Sequence, residues 1–271
     1  MKHLVDVFKQ RCSKDADKTA FLIKQQGKWN PVTWKEADTR SDWIAAGLLS
    51  LGVESGSAVC IMGNTRLEWT LSDIGTLKAG CVSIGIYQTL SGEQAAYILK
   101  DSNARCLFIE DQSQIDKIMP HLADLPDLQW IVGWDGSVKG RNIISFQEFL
   151  NKGQAAIKSD PQCVSRIENQ IKPEDLAIII YTSGTTGPPK GACLTHNNFL
   201  AELRATEEIK QEDVGDIMMF FLPLSHVGER IAQFLRISRG ISAAYVRDIK
   251  KILDDIKEIR PTFFGSVPRI F

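Results

Sequence analysis

An α/β fold is predicted for this chain, with parallel-sheet layers covered by helices, and three observations predict it. Short apolar runs alternate with helical patterns along most of the sequence. Many of those helices announce their starts with capping residues. The runs are apolar at every position rather than at alternate ones, which marks strands buried on both faces, and crossover helices are what bury a sheet on both faces.

The elements follow in order. Thr33-Trp34-Lys35-Glu36 has the spacing of a capping box and opens a helix whose apolar face runs Ala37, Ile44, Leu48, Leu51, with Gly52 as its stop. Ala58 to Met62 reads as a buried strand. Thr65-Arg66-Leu67-Glu68 repeats the capping signature for a helix ending at Gly80, and Cys81 to Ile86 is the next strand. Ser91 to Gln94 starts a helix, Cys106 to Ile109 is a strand, Ile115 to Leu122 is helical and Gln129 to Val132 is strand-like. Leu176 to Tyr181 is the most hydrophobic strand of the chain. The polar stretch 153–173, with Pro161 and Pro173, is read as a connecting segment between a first α/β subdomain (1–152) and a second (174–271).

Composition narrows the function. The 271 residues carry 32 basic and 33 acidic side chains, a formal net charge of −1, with no block of five like charges. A nucleic-acid binder would show a basic footprint, so none is expected. No stretch reaches the ~18 apolar residues of a membrane span and the start lacks a signal-peptide core, so a cytoplasmic protein is expected. The six cysteines are scattered without a C-x-x-C pair and read as free thiols, and the four histidines lack zinc-type spacing.

The chemistry is concentrated after the strongest strand, in Tyr181-Thr182-Ser183-Gly184-Thr185-Thr186-Gly187-Pro188-Pro189-Lys190-Gly191. Glycines free backbone N–H groups to turn inward, hydroxyls add donors and the lysine adds a point charge, a combination suited to a polyphosphate. The carboxyl end of a strand is where open α/β sheets bind ligands. The Walker pattern fails, since Pro189 stands where its second glycine belongs and Gly191 follows Lys190. The dinucleotide G-x-G-x-x-G pattern fails as well.

The segment closely resembles the signature loop of the adenylate-forming superfamily, which comprises acyl-CoA synthetases, adenylation domains and luciferases. Thr195-His196-Asn197-Asn198 resembles the helix start that follows it. Phe221 to Arg230, Arg239 to Ala244 and Pro261 to Phe271 are similar to the long-chain fatty-acyl-CoA synthetase subgroup, and Gly63-Asn64 with Glu68-Trp69 is similar to an early core motif. The resemblance implies ATP-dependent conversion of a fatty acid to an acyl-adenylate and then to a thioester, with ATP, Mg2+ and coenzyme A as co-substrates. It implies that Thr182, Ser183, Gly184, Thr185, Thr186, Gly187 and Lys190 grip the phosphates, and that His226, which the residues place on a helix capped by Ser225, stands beside the acyl carboxylate or in the acyl pocket. Phe264 and Gly265, on a core strand, would line the acyl and adenylate pocket.

Family members continue beyond the point matching Phe271, where adenine, ribose and magnesium residues and the catalytic lysine are expected. The chain is therefore expected to be the N-terminal portion of a larger enzyme, inactive by itself, with an apolar end suited to homodimerisation. Peripheral membrane contact is a further expectation. Arg230, Arg236, Arg239 and Arg247 are expected on a solvated face. A ligase for another carboxylate and a non-catalytic nucleotide-binding module stay open as alternatives.

Overall fold

A computed structural model describes residues 2–135, 140, 142–182, 188–207 and 215–266. The chain opens with α1 (Leu4–Lys14) and a hairpin of β1 (Thr19–Gln25) and β2 (Lys28–Thr33), then α2 (Trp34–Ser50), β3 (Ala58–Met62), α3 (Leu67–Lys78), β4 (Val82–Ile86) and α4 (Gly92–Asp101). Next come β5 (Cys106–Ile109), α5 (Gln112–Ile118) with a 3₁₀ turn behind it, β6 (Trp130–Gly133), β7 (Ile143–Ser145), α6 (Phe146–Ser159) and α7 (Cys163–Glu168). The remainder is β8 (Leu176–Thr182), β9 (Lys190–Thr195), α8 (His196–Glu207), β10 (Ile217–Phe220), α9 (Val227–Arg239), β11 (Ser242–Tyr245) and α10 (Ile252–Ile259).

The strands form two sheets. The larger has the order β7-β6-β5-β3-β4-β8-β9, parallel except for β9, and the smaller has the order β10-β11-β1-β2, with only β2 antiparallel. This is the expected α/β layering. Both sheets draw strands from either side of 153–173, and that stretch carries the end of α6 and all of α7. Gly153 lies against α2, where a Cβ would stand 1.8 Å from the carbonyl oxygen of Trp43, so only glycine allows that approach. One turn earlier Phe149 is wholly buried and meets Phe108 of β5 edge to face at 5.3 Å. A segment packed this closely is part of the core.

All six cysteines are free thiols. Burial pushes the Cys60 and Cys81 thiols up to about 12, so they behave as small apolar side chains. Among the described residues no helix is long and apolar enough to cross a membrane.

Candidate phosphate and acyl site

Because β3, β4, β5, β6 and β8 run parallel, their carboxyl ends open on one edge, and polar residues stand at or just past each end: Asn64, Gln88, Glu110, Asp135 and Thr182. The Glu110 carboxylate accepts from the Asn64 backbone N–H at 2.7 Å and from its side-chain amide at 2.8 Å, while Gln88 donates to Asn64 Oδ1 at 2.9 Å. Arg66 donates to Glu68 at 2.6 Å and grips Asp135 with both terminal nitrogens, at 2.7 and 3.0 Å. Against the downward pull of burial, the hydrogen bonds that Arg66 donates to Asp135 and Glu68 hold its guanidinium above its ordinary value. Arg247, just past β11, donates to the same Asp135 at 3.3 Å and so ties the edge of the small sheet to that of the large one.

Pairing of β8 with β9 sets Thr182 directly opposite Lys190, both exposed at this edge. Tyr181 is buried and donates to Asp101 at 2.7 Å, which anchors the end of β8 to α4. The expectations for Ser183, Gly184, Thr185, Thr186 and Gly187 lie outside the described residues.

His226 is exposed and is itself the N-cap of α9: its Nδ1 accepts from the Gly228 N–H at 3.1 Å. A neutral ring held in this way carries its proton on Nε2, which then serves as a donor. The expected cap, Ser225, is instead buried against β4, where a Cβ on Gly85 would come within 2.7 Å of the Ser225 Cα. Glycine at position 85 is what lets the start of α9 seat on the sheet. In the first turn of α9, burial raises the Glu229 carboxyl to about 7.

Two of the arginines expected on a solvated face are wholly buried. Arg230 donates to Asp73 of α3 at 2.6 Å and to Ser83 of β4 at 3.2 Å, and Gln233 donates to the second Asp73 oxygen at 2.8 Å. Arg236 lies over the rings of Phe21, Trp34 and Phe220 and donates to the carbonyls of Ala20 and Ile241. The reason is geometric: α9 is clamped against the sheets on the face that carries 230, 233 and 236. Phe264 and Gly265 are half-buried and belong to no strand; Phe263 makes one isolated parallel bridge to Met218, and Phe264 stacks on Phe221 at 5.5 Å. The expected core strand is thus reduced to a single bridge beside β10.

The structure brings Thr182 and Lys190 together and places His226 at the head of α9. Glu110, Asp135 and Asp73 escaped the sequence reading. Glu110 and Asp135 each stand within two residues of an apolar strand's end, a signal that could have found them; Asp73 lies inside a helix and carried none.

The AMP-binding enzyme family matches residues 8–271, and the chain belongs to that family. It is 33% identical over 262 residues to the long-chain-fatty-acid–CoA ligase FadD15 of Mycobacterium tuberculosis, covering 95% of this chain and 42% of that protein. It is 31% identical over 257 residues to the peroxisomal long chain acyl-CoA synthetase 7 of Arabidopsis thaliana, covering 90% of this chain and 35% of that protein. This chain therefore spans well under half the length of these relatives. The fold matches the N-terminal domain of FACL13 from Mycobacterium tuberculosis with a TM-score of 0.83 at 22% identity, over 100% of this chain and 64% of that one. It matches the anthranilate CoA ligase AuaEII with a TM-score of 0.83 at 24% identity, over 99% of this chain and 50% of that one.

Proposed function

We propose that this chain supplies the phosphate-gripping part of an AMP-forming long-chain fatty-acyl-CoA ligase. The observation that carries the reading is the in-register pair of Thr182 and Lys190 at the carboxyl edge of the parallel sheet, at the two ends of the Gly- and hydroxyl-rich segment. In the proposed reaction a fatty carboxylate attacks the α-phosphorus of ATP in line, pyrophosphate leaves, and coenzyme A then displaces AMP to give the thioester. Charge builds on the departing pyrophosphate, so fixed donors and a lysine on that side stabilise the transition state more than the ground state. Lys190 supplies the point charge; Thr182, with Ser183, Gly184, Thr185, Thr186 and Gly187, supplies donors. His226 faces the acyl carboxylate with its Nε2 proton, and Phe264 and Gly265 border the acyl pocket.

Mg2+ enters this proposal together with ATP, as the metal of the nucleotide substrate. A cytoplasmic setting, peripheral contact with membranes and a homodimer belong to the same proposal. Titration calorimetry with pyrophosphate tests it: the wild-type chain should bind and Lys190→Ala should bind about tenfold more weakly, the scale of one charge-assisted contact. Equal binding by the two proteins would remove the assigned role of the lysine.

A further inference from the structure

Between α2, α3 and α6, on the helical layer, lies a cavity of about 310 Å³. We infer that this cavity is a second binding site, one for an amphiphilic carboxylate of medium chain length. Most of its lining is apolar, with Trp43, Leu71, Phe146 and Leu150 among the walls, and Gln147 and Gln154 add neutral polar groups. Its volume is that of about ten water-sized groups, enough for an acyl chain of similar length but not for a nucleotide with its phosphates.

Charge selects the sign of the ligand. Two charged residues line the cavity, Arg40 and Glu68. Glu68 is already engaged by Arg66 at 2.6 Å. Among the described residues the Arg40 side chain makes no hydrogen bond or ion pair, and its positive charge reaches Glu36 only through space, where it helps hold that carboxyl below its ordinary value after the hydrogen bonds from Thr33. The Trp43 indole N–H, three residues along the same helix, likewise meets no acceptor among the described residues. Arg40 and Trp43, both half-buried and both lining this largely apolar cavity, offer it a guanidinium and an indole N–H, donors suited to a carboxylate whose tail enters between the helices. The inference does not depend on the ligase reading, because neither Arg40 nor Trp43 is assigned to phosphate or acyl binding there.

The test uses decanoate as probe and the Trp43 indole resonance in a ¹⁵N-labelled chain as reporter, assigned through Trp43→Phe. Decanoate should shift that resonance saturably, and 1-decanol, which keeps the tail without the charge, should bind about tenfold more weakly. Arg40→Gln should weaken decanoate by a similar factor, and Leu150→Trp, which fills the cavity, should abolish the shift while thermal melting reports that the variant is folded. Lys190→Ala should leave decanoate binding unchanged while weakening pyrophosphate, so failure of one site is separable from failure of the other. A Trp43 resonance that does not move up to millimolar decanoate would overturn the site. Equal affinities for decanoate and decanol, or for wild type and Arg40→Gln, would overturn the assignment of a carboxylate.

Discussion

Two helices of this molecule open on the same sequence signature and are held by different means. At α2, Thr33 and Glu36 close a complete capping box: the Thr33 hydroxyl accepts from the Glu36 N–H at 3.2 Å and the Glu36 carboxylate accepts from the Thr33 N–H at 2.8 Å. At α3, Thr65 and Glu68 make neither bond. Thr65 donates its hydroxyl to the Leu222 carbonyl at 2.6 Å and accepts from the Leu224 N–H at 3.2 Å, while Glu68 takes the Arg66 side chain. The signature at 65–68 is spent on a neighbouring segment, the one that leads into His226. One helix is local in its determinants, and the other exists through what it touches.

If that contrast is right, α3 should fail when its partners are removed. The largest effect is expected at Asp73, wholly buried, whose carboxyl is pushed up by burial and opposed by Arg230, Ser83 and Gln233. Asp73→Ala leaves the Arg230 charge buried without a counter-ion and should cost about 3 to 5 kcal/mol in denaturant unfolding. Pairing it with Arg230→Met should restore much of that loss, since the unpaired charge disappears. A single-variant cost below about 1 kcal/mol would show that the clamp contributes little to stability.

A second contrast is one of sign, between two groups that titrate in the same pH range. His196 is buried and its Nδ1 accepts from the Leu4 N–H at 3.3 Å, so it caps α1 from a distant part of the chain. Burial, aided by the neighbouring His3 and opposed by Asp175 and Asp6, lowers it to about 4. A folded value below the unfolded 6.5 means that the unfolded chain binds the extra proton, so this contribution is present above pH 6.5 and is lost as pH falls toward 4. Glu229 behaves oppositely: its folded value of about 7 lies above the unfolded 4.5, so its contribution is present below pH 4.5 and is lost as pH rises toward 7. Between pH 4.5 and 6.5, His196→Gln should therefore make stability fall more steeply with rising pH than in the wild type, and Glu229→Gln should make it climb. Parallel stability profiles for the three proteins would contradict both assignments.

What the sequence made legible was whatever is written locally. The strand Cys106 to Ile109, the strand Ala58 to Met62 and the capping boxes at Thr33 and Ser91 stand where the residues put them, because apolar runs and caps are short-range signals. The hairpin 19–33 was not legible. Its burial pattern is irregular, and it is ordered by joining β11, which lies more than two hundred residues away. The phosphate segment was legible as chemistry from its own composition. Asn64, Glu110, Arg66 and Asp135 form a unit only because parallel pairing brings three strand ends together. Arg230 and Arg236 were misplaced for the same reason: charge predicts solvent unless a buried carboxylate or a set of aromatic rings is already waiting, and Asp73, Phe21 and Trp34 come from other elements.

The smallest expected effects test the contrast between α2 and α3 most directly. Thr33→Val removes one side of a capping box on an exposed helix end and should cost about 1 kcal/mol. Thr65→Val strands the Leu224 N–H, which is buried, together with the Leu222 carbonyl, and should cost about 1 to 3 kcal/mol. Location separates them better than magnitude. By hydrogen exchange, Thr33→Val should lower protection in the first turn of α2 and nowhere else. Thr65→Val should leave the amides of α3 protected, because no side chain of its own caps that helix, and should lower protection at 224–230, where the chain passes from β10 into α9 and places His226. Loss of protection at the start of α3 in the Thr65 variant would mean that the threonine caps its own helix after all, and the two signatures would then be equivalent.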